Sequence, residues 1–436
     1  MKKILSALLA SAMILTLTGC GGSSSSSHTP DSASDGASSE VTESTNGGSS
    51  SAANDTPSTP ENTYTGTPTL EDETLYNAMV ERSLMTTGDM TRMANVLKKA
   101  ENGEEITVAY IGGSITEGLT VAPNNPELCW AFLSYKWLCE QYPNTTIKFV
   151  NAGLSGTPSI LGNVRLERDV LAYDPDICFV EFAVNDGTEE KYRIAYDNLV
   201  RTLLTADKDI APVLLFTVIK SGHSCQPHMS EIGNHYGLPM ISEPDSLGVE
   251  FAEGRMMWED YSEDESHPHK RGHEIVCDFV TNYFEKVMAQ VDENTGTVSK
   301  ELPEPKYSDR FMNVHFIDSE DLDPELDGFV EADDHTWFHN DWIYRGRDGA
   351  SMKFTITCKS LHMVYKENKS GIFATADIYI DGEKTTSVSS YDENGWGNPA
   401  TATLIDNDDA AEHTVEIRVP GEKALYFGVL GFGYCD

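Results

Sequence analysis

The side chains in this sequence that are best suited to chemistry lie in four short segments. Ser114 follows two glycines and offers a hydroxyl, and residues 151–157 form a glycine-containing loop where a backbone N–H could approach a ligand closely. Asn185 offers an amide donor, and Asp264 lies three residues before His267, so that a carboxylate could orient an imidazole. A hydroxyl, two hydrogen-bond donors and an oriented imidazole are the groups that acyl transfer requires.

Each segment also has a simpler structural interpretation. Gly-Gly-Ser is a frequent tight turn with a capping serine, Asn-Asp-Gly at 185–187 is a frequent turn, and Asp-x-x-His is a frequent loop. His267, His269 and His273 could instead indicate a metal site, although a metal centre needs a further ligand direction that the sequence does not supply. The catalytic interpretation therefore depends on whether the fold brings the four segments together.

The pattern of apolar residues predicts a fold that does so. Strand-like segments alternate with helical ones, which indicates right-handed βαβ units and a doubly wound parallel sheet of about five strands. Open α/β folds bind their ligands at the carboxyl edge of such a sheet, and all four segments fall there. The strands are predicted near 106–111, 146–151, 177–183, 212–218 and 239–242, and the helices near 127–141, 159–172, 189–205, 225–235 and 270–290, with two more between 71 and 100.

A change of pattern after residue 298 predicts a second domain. Short segments there alternate polar and apolar residues with a period of two, and Asp381-Gly382 lies between two of them as a hairpin turn should. Many short strands with frequent turns are typical of a β-sandwich or jelly roll. We therefore assign residues 70–298 to an α/β domain and residues 299–436 to an all-β domain.

The N-terminus has the composition of an export signal. Two lysines precede the apolar segment 4–17, which is too short to span a bilayer, and Leu17-Thr18-Gly19-Cys20 resembles a bacterial lipobox. These residues predict a signal peptide over 1–19 and acylation of Cys20. Residues 20–69 are rich in Ser, Gly, Thr and Pro and are predicted to be a disordered tether. The expected location is the extracellular face of a bacterial membrane, and a cytosolic protein with an apolar N-terminus is the alternative.

The net charge excludes several classes of partner, and the cysteine content indicates no disulfide framework. The net charge of −39 argues against nucleic acid and against an anionic membrane surface, and it suits an exported enzyme acting on neutral polymers. Of eight cysteines, Cys20 is assigned to lipidation, and the remaining odd number shows no disulfide framework and no C-x-x-C pair. The sequence predicts neither a cofactor nor a metal, and its only expected membrane contact is the lipid anchor.

The four segments resemble the blocks that characterise the SGNH hydrolases, also called GDSL lipases or acylhydrolases, over roughly residues 75–290. The resemblance is to the branch whose first block reads Gly-Gly-Ser-Ile-Thr, which here begins at Gly112. It implies a flavodoxin-like α/β fold in which Ser114 is the nucleophile. It also implies that His267 is the general base and that Asp264 is the acid that orients it.

The resemblance further implies an oxyanion hole formed by the N–H groups of Ser114 and Gly156 and by the amide of Asn185. Three segments depart from the family's pattern: Gly-Asp-Ser-Leu is here Gly-Gly-Ser-Ile, Ala183 replaces a glycine, and His269 replaces an asparagine. None of these changes removes a catalytic group. The first speaks against a true lipase more than against ester hydrolysis.

Gly113, Trp258 and Trp396 are further candidates for contact with a substrate. Trp258 lies shortly before the Asp264 segment and could line the acyl or sugar pocket, with core packing as the alternative. Trp396 lies in Asn394-Gly-Trp-Gly-Asn398, a polar setting that suits stacking on a sugar ring, or else it caps one end of the β-domain. The acidic segment 318–327 could hold calcium or form a solvated linker.

Together these features predict a serine esterase that deacetylates plant polysaccharides such as xylan or mannan. The substrate class follows from the resemblance of the Gly-Gly-Ser-Ile-Thr branch and from a carbohydrate-binding-like β-domain, and no long apolar lid is visible for a long acyl chain. Two alternatives remain open at this stage. One is a short-chain esterase or lysophospholipase, and the other is a surface glycan-binding lipoprotein with an inactive hydrolase domain.

Overall fold

The computed structural model describes residues 64–121, 124–421 and 423–436. The predicted signal peptide, the lipidation site at Cys20 and the tether up to residue 63 lie outside the described residues. Within these ranges, no helix is both long enough and apolar enough to cross a membrane. The described chain forms an α/β domain followed by an all-antiparallel β-domain.

The sheet of the first domain determines where its loops meet. Its strands, within the described ranges, are β1 (Leu84–Thr86), β2 (Ile106–Gly112), β3 (Ile147–Gly153), β4 (Ile177–Glu181), β5 (Ala211–Phe216) and β6 (Met240–Ser242). They lie in the order β1-β6-β5-β4-β2-β3, with β2 to β6 parallel and β1 antiparallel to β6. Strands β2, β4 and β5 are buried along their whole length, as expected of central strands covered on both faces.

Helices cover both faces of this sheet. Since successive strand residues point to opposite faces, Val108 and Tyr110 enter one apolar core while Ala109 and Ile111 enter another. The helices of the described residues are α1 (Glu73–Ser83), α2 (Thr91–Glu101), α3 (Ser114–Glu117), α4 (Trp130–Gln141), α5 (Ser159–Val164), α6 (Leu166–Asp169), α7 (Glu190–Thr205), α8 (Gln226–Tyr236), α9 (Leu247–Ala252), α10 (Lys270–Met288) and α11 (Val291–Asn294). Helices α2, α4 and α10 pack on the first core, and α7 and α8 on the second.

The predicted doubly wound parallel sheet is confirmed, and the differences are local. Strand β1 and helix α9 were not predicted, because three and six residues are too short to display a clear period. The helix predicted over 159–172 is broken at Arg165. The guanidinium of Arg165 turns into the core and donates to the carbonyls of Ala152 (2.6 Å) and Gly112 (3.0 Å), near the carboxyl ends of β3 and β2.

The second domain is a single hydrogen-bonded antiparallel sheet that bends over its own core. Its strands are β7 (His315–Ile317), β8 (Glu325–Asp327), β9 (Val330–Ala332), β10 (Asp341–Gly346), β11 (Ala350–Asn368), β12 (Thr375–Ile380), β13 (Glu383–Ser389), β14 (Trp396–Val419) and β15 (Leu425–Cys435). Their order is β13-β12-β14-β11-β15-β10-β9, with β7 on β15 and β8 on β11. The all-β prediction is confirmed, although 351–358 and 361–365 belong to one strand, β11.

The bend lies at a register shift of β11 between Cys358 and Ser360. Before the shift, β11 pairs with β8 and β14, and after it β11 pairs with β14 and β15. Phe354 from the first half packs on Phe432 from β15, with ring centroids 4.8 Å apart. Two halves of one sheet thus enclose the core that two separate sheets would enclose in a simple sandwich.

The two domains also share a core of their own. It joins Leu161 and Val164 on α5 to Phe338, Val364 and Leu430 of the β-domain. The segment before β7 reinforces this contact, since Tyr307 donates its backbone N–H to Asp197 on α7 (2.9 Å). The boundary predicted at 298/299 therefore precedes a segment that packs on the first domain. The β-domain is consequently a fixed wall beside the carboxyl edge of the parallel sheet.

Replacing Arg165 with Met should lower the free energy of unfolding by about 3–5 kcal/mol. Arg165 is 1% exposed, and its loss removes one donor from each of the carbonyls of Ala152 and Gly112 and one ion-pair partner from Asp169. Urea unfolding of both proteins measures the change. Lys148→Met is the matched control, because Lys148 pairs with Glu105 at the surface and its removal should cost less than about 1 kcal/mol. Equal effects of the two substitutions would contradict this prediction.

Candidate active site

Ser114 lies at the carboxyl end of β2, as the first residue of α3. It is 7% exposed and is held there by the neighbouring strand. Thr116, two residues later, donates its hydroxyl to the buried carboxyl of Glu181 at the end of β4 (2.9 Å). The position of the Ser114 hydroxyl is therefore set by the sheet rather than by a free loop.

The structure brings Ser114, His267 and Asp264 into one hydrogen-bonded series. The Nε2 atom of His267 lies 2.9 Å from the hydroxyl oxygen of Ser114. The Nδ1 atom of His267 lies 2.8 Å from Oδ2 of Asp264. In this geometry Nδ1–H donates to the carboxylate and Nε2 accepts from the serine hydroxyl, so the imidazole can take the serine proton.

The local fold of the loop prepares Asp264 for this contact. Partial burial alone would raise the pKa of Asp264, but the backbone N–H groups of His267 (2.6 Å) and Ser266 (2.7 Å) and the His267 ring outweigh it. The pKa of Asp264 therefore lies below its ordinary value, and the carboxylate is charged near neutral pH. A charged Asp264 keeps His267 in the orientation that leaves Nε2 towards Ser114.

Residues outside the series fix the same loop. Ser262 donates its hydroxyl to the carbonyl of His267 (2.6 Å), and Trp258 donates its indole N–H to the carbonyl of Asp264 (2.5 Å). Trp258 is buried against Phe251 and lies outside the cavity lining, which corrects its predicted role as a substrate contact. Its indole packs as an apolar side chain and uses its polar edge to hold the loop.

Gly156 and Asn185 line the same cavity as Ser114. Gly156 has a φ of +70°, a conformation that residues other than glycine rarely adopt. A Cβ at this position would overlap the ring of Trp396. Gly113, predicted as a substrate contact, is instead buried. A Cβ at Gly113 would overlap the side-chain amide of Asn185, so this glycine makes room for Asn185 at the edge of the sheet.

The cavity lies between the two domains and has a volume of about 650 Å³. This volume is typical of small-molecule sites. The β-domain supplies one wall through His335–Trp337 and Trp396–Pro399, and Leu119 contributes an apolar side chain from the opposite domain. Trp337 is 40% exposed and Trp396 is 60% exposed. Trp396, predicted as a sugar contact, thus lines the cavity, and so does Trp337, to which sequence analysis assigned no role.

His335 ties the two wall segments together. Its Nδ1 atom accepts the backbone N–H groups of Trp337 and Phe338, both at 3.2 Å, and its Nε2 lies 3.1 Å from the carbonyl of Gly397. Burial lowers the pKa of His335 from 6.5 to about 4, so the ring is neutral at neutral pH. The neutral ring with a proton on Nε2 satisfies all three bonds at once.

The two histidines that follow His267 have separate roles. His269 accepts the backbone N–H of Gly272 (3.2 Å) and begins α10, and His273 lies in the core, where burial lowers its pKa to about 3. Among the described residues there is no group of three or more His, Cys, Asp or Glu side chains placed to hold a metal ion. In the acidic segment, Asp318 accepts the backbone N–H of Glu320 (2.9 Å), as in a turn.

Two glutamates at the site were not predicted. Glu117 lines the cavity and accepts the backbone N–H of Ser155 (2.8 Å), and Glu181 anchors Thr116 from below. Glu117 is three residues after Ser114, a spacing that places both on the same face of α3 and could have singled it out. No comparable signal marked Glu181, because it lies in an apolar strand.

Known proteins share part of this chain's sequence and most of its fold. Residues 110–275 match the family model described as GDSL-like Lipase/Acylhydrolase. The chain is similar to the crystal structure of a two-domain esterase (CEX) active on acetylated mannans, with 26% identity and a TM-score of 0.76 over 82% of this chain and 99% of that one. The structure of such an esterase co-crystallized with mannopentaose is 26% identical to this chain. Its TM-score is 0.75 over 82% of this chain and 98% of that one. No match was found among the curated proteins searched. The predicted resemblance and fold class are confirmed.

Lowering the pH should weaken the His335 contacts. Since the folded state keeps the pKa of His335 near 4 and the unfolded state near 6.5, the unfolded chain binds the proton first, so stability is lost between pH 6.5 and 4 and the loss levels off below. His335→Asn removes this titration. We expect the wild type to lose up to about 3 kcal/mol more than the variant over that interval, measured by urea unfolding at several pH values. His362 and His273 titrate in both proteins and cancel. Parallel curves would contradict the prediction.

Proposed function

Residues 110–275 form a domain of the GDSL-like lipase/acylhydrolase family and the chain is a carboxylic ester hydrolase, and from this premise we propose that it removes acetyl groups from neutral polysaccharides, mannan first among them. The single observation that carries the proposal is the placement of the Ser114–His267–Asp264 series. It opens into a cavity whose opposite wall carries two exposed tryptophans from the β-domain.

The first half of the reaction transfers the acetyl group to the enzyme. His267 takes the proton of Ser114 as the serine oxygen attacks the acetyl carbonyl, and Asp264 stabilises the imidazolium that forms. The N–H groups of Ser114 and Gly156 and the amide of Asn185 donate to the tetrahedral oxyanion. One such donor contributes about 100- to 1000-fold to the rate. The bond between the acetyl carbon and the sugar oxygen then breaks. His267 gives its proton to that oxygen, which leaves as the sugar hydroxyl.

The second half regenerates the enzyme. Water enters the position that the sugar hydroxyl has left, and His267 takes a proton from it as its oxygen attacks the carbonyl of the acetyl-serine. The same donors stabilise the second oxyanion. When this intermediate collapses, His267 returns the proton to Ser114 and acetate leaves. The cycle consumes one water and releases one acetate.

The charges around the cavity favour an uncharged substrate. Among the described residues that line it there is no lysine or arginine, and Glu117 supplies a carboxylate. The chain as a whole carries a net charge of −39. Acidic polymers such as pectin would therefore approach against the field of the protein and find no counter-ion in the site. Uncharged sugar rings, by contrast, can lie against Trp337 and Trp396.

Mannan is chosen among neutral polymers because the similar two-domain esterases are described as active on acetylated mannans. The similarity covers 82% of this chain and therefore includes the β-domain that forms one wall of the cavity. We also propose that the chain acts outside the cell, attached to the membrane through acylated Cys20. The residues that follow Cys20 are poor in apolar side chains and long enough to hold the catalytic part away from the lipid surface.

Acetate release from acetylated mannan, xylan and pectin tests the substrate. We expect mannan to be deacetylated fastest and pectin slowest. Ser114→Ala should lower kcat by at least about 10⁴-fold without loss of folding, because it removes the nucleophile alone. Ser230→Ala, on α8 and outside the cavity lining, is the matched control and should retain full activity. Unchanged acetate release by Ser114→Ala would refute the mechanism, and preference for pectin would refute the substrate.

Trp337→Ala should separate polymer binding from chemistry. Loss of one sugar-stacking surface worth about 0.5–1.5 kcal/mol raises KM for acetylated mannan roughly 2- to 10-fold. The kcat/KM for a small ester such as nitrophenyl acetate should stay within about twofold, since that ester does not reach the β-domain wall. Tyr391→Ala is the control, because Tyr391 is also exposed on the β-domain and lies outside the cavity lining. Equal losses on both substrates would count against a sugar contact.

Cys20→Ser should release the protein from the membrane. Without the thiol, Cys20 cannot be acylated, and none of the described helices is long and apolar enough to cross a membrane. Fractionation of the bacterium that produces the protein is expected to find the wild type with the membrane and the variant in soluble fractions. Cys139→Ser, on α4, is the control. Equal distribution of the three proteins would exclude anchoring through Cys20.

A further inference from the structure

We propose that Glu117 is a positioning residue that holds the oxyanion-hole loop against the nucleophile helix. The inference rests on the proposed roles of Ser114 and Gly156 and goes beyond them, since Glu117 touches neither the nucleophile hydroxyl nor the general base. It assigns a task to the carboxylate that lines the cavity without belonging to the Ser114–His267–Asp264 series.

One carboxylate oxygen of Glu117 carries both contacts. Oε2 accepts the backbone N–H of Ser155 at 2.8 Å and also accepts the hydroxyl of Ser155. Ser155 directly precedes Gly156, whose backbone N–H is the proposed oxyanion donor. A shift or rotation of the peptide at Ser155 therefore moves that donor. Bonds to a charged acceptor are shorter and stronger than neutral ones, which suits a clamp of this kind.

Up to residue 154, hydrogen bonds hold the end of β3 against β2 and the start of α3. Asn151 donates its side-chain N–H to the carbonyl of Thr116 (2.9 Å), and Leu154 donates its backbone N–H to the carbonyl of Gly112 (3.0 Å). Gly153 lies so close to α3 that a Cβ there would overlap the backbone of Glu117. The end of β3 and the start of α3 therefore form one rigid body.

Beyond residue 154 the loop leaves the sheet, and there it is bonded to α3 through the side chain of Glu117. Gly156 is exposed and adopts a positive φ. Because it has no Cβ, the chain has a wide conformational range there. Trp396 covers one face of Gly156, and Thr157 bonds only to its own loop through the carbonyl of Leu154 (2.7 Å). Among the described residues, the hydrogen bonds that tie residues 155–157 to the helix bearing the nucleophile are those from Ser155 to Glu117.

Three substitutions distinguish this task from general packing. Glu117→Ala removes the acceptor, Glu117→Asp keeps the charge but shortens the reach, and Glu117→Gln keeps an oxygen that can accept the Ser155 N–H. Misplacement of a catalytic group by about 1 Å costs on the order of 100-fold. We therefore expect kcat on nitrophenyl acetate to fall roughly 10- to 100-fold for Ala and about 10-fold for Asp, with KM within about threefold, while Gln stays within about threefold of wild type.

Two further measurements report on the loop itself. The rate at which a phosphonate ester traps Ser114 should fall in parallel with kcat, because the trapped phosphonate places an oxygen in the oxyanion hole. Hydrogen exchange of the peptide containing residues 153–157 should accelerate in the Ala and Asp variants and stay as in wild type for Gln. Glu140→Ala, an exposed glutamate on α4 outside the cavity lining, is the control and should change none of these quantities.

The outcomes separate this inference from the proposed function. If Ser114→Ala is inactive while Glu117→Ala or Glu117→Asp keeps the kcat, trapping rate and exchange of the wild type, the inference is overturned and the function stands. If Ser114→Ala retains full activity, the function fails, and faster exchange at 153–157 in the Glu117 variants still supports the clamp. A rise in KM alone would make Glu117 a substrate contact and overturn the positioning role. Should the Ala variant not fold, the Asp and Gln pair decides.

Discussion

The close approach of backbone segments at the carboxyl ends of β2 and β3 is the constraint on which the site depends. Helix α3 begins directly at Ser114, and it can lie against β3 only because residue 153 has no side chain. Asn185 can reach the same edge only because residue 113 has none. These contacts are backbone to backbone or backbone to amide, so they leave little freedom for the groups that the reaction needs. Preorganisation of this kind lets donors act without reorganising during the reaction.

Buried acids underlie this arrangement and make it sensitive to pH. Glu181 accepts the hydroxyls of Thr116 (2.9 Å) and Thr217 (2.7 Å), yet burial without a counter-cation still raises its pKa. Glu243, bonded by Tyr261 (3.0 Å), has its pKa raised to about 8 for the same reason. Because these folded-state pKa values exceed the unfolded ones, the stability that these acids contribute is lost as the pH rises through them. His335 acts in the opposite direction, so the two kinds of group bound the pH range of greatest stability from opposite sides.

The Ser114–His267–Asp264 series could be predicted from the sequence because the information that places it is local. Ser114 follows an unbroken apolar strand and two glycines, and Asp264 and His267 share one short loop, so topology alone places them at the same edge. Glu117 escaped notice because its task depends on Ser155, which is 38 residues away in the chain. Trp258 and Trp396 illustrate a different limit. An indole has an apolar body and a single donor, so its sequence context allowed either core packing or ligand stacking, and only the tertiary fold separated the two.

The β-domain belongs to the site rather than being appended to it. Its Trp396 lies against Gly156, and the cavity has an opposite wall only because the strand that begins at Trp396 passes there. Val164 on α5 is wholly buried in the core that the two domains share, and would be left open to solvent if the β-domain were absent. An independent binding module would bring substrate near an enzyme complete in itself. Here the loop that carries Gly156 lies against Trp396 of one domain, and its Ser155 is bonded to Glu117 of the other. The two domains must therefore fold against each other before the cavity has both of its walls.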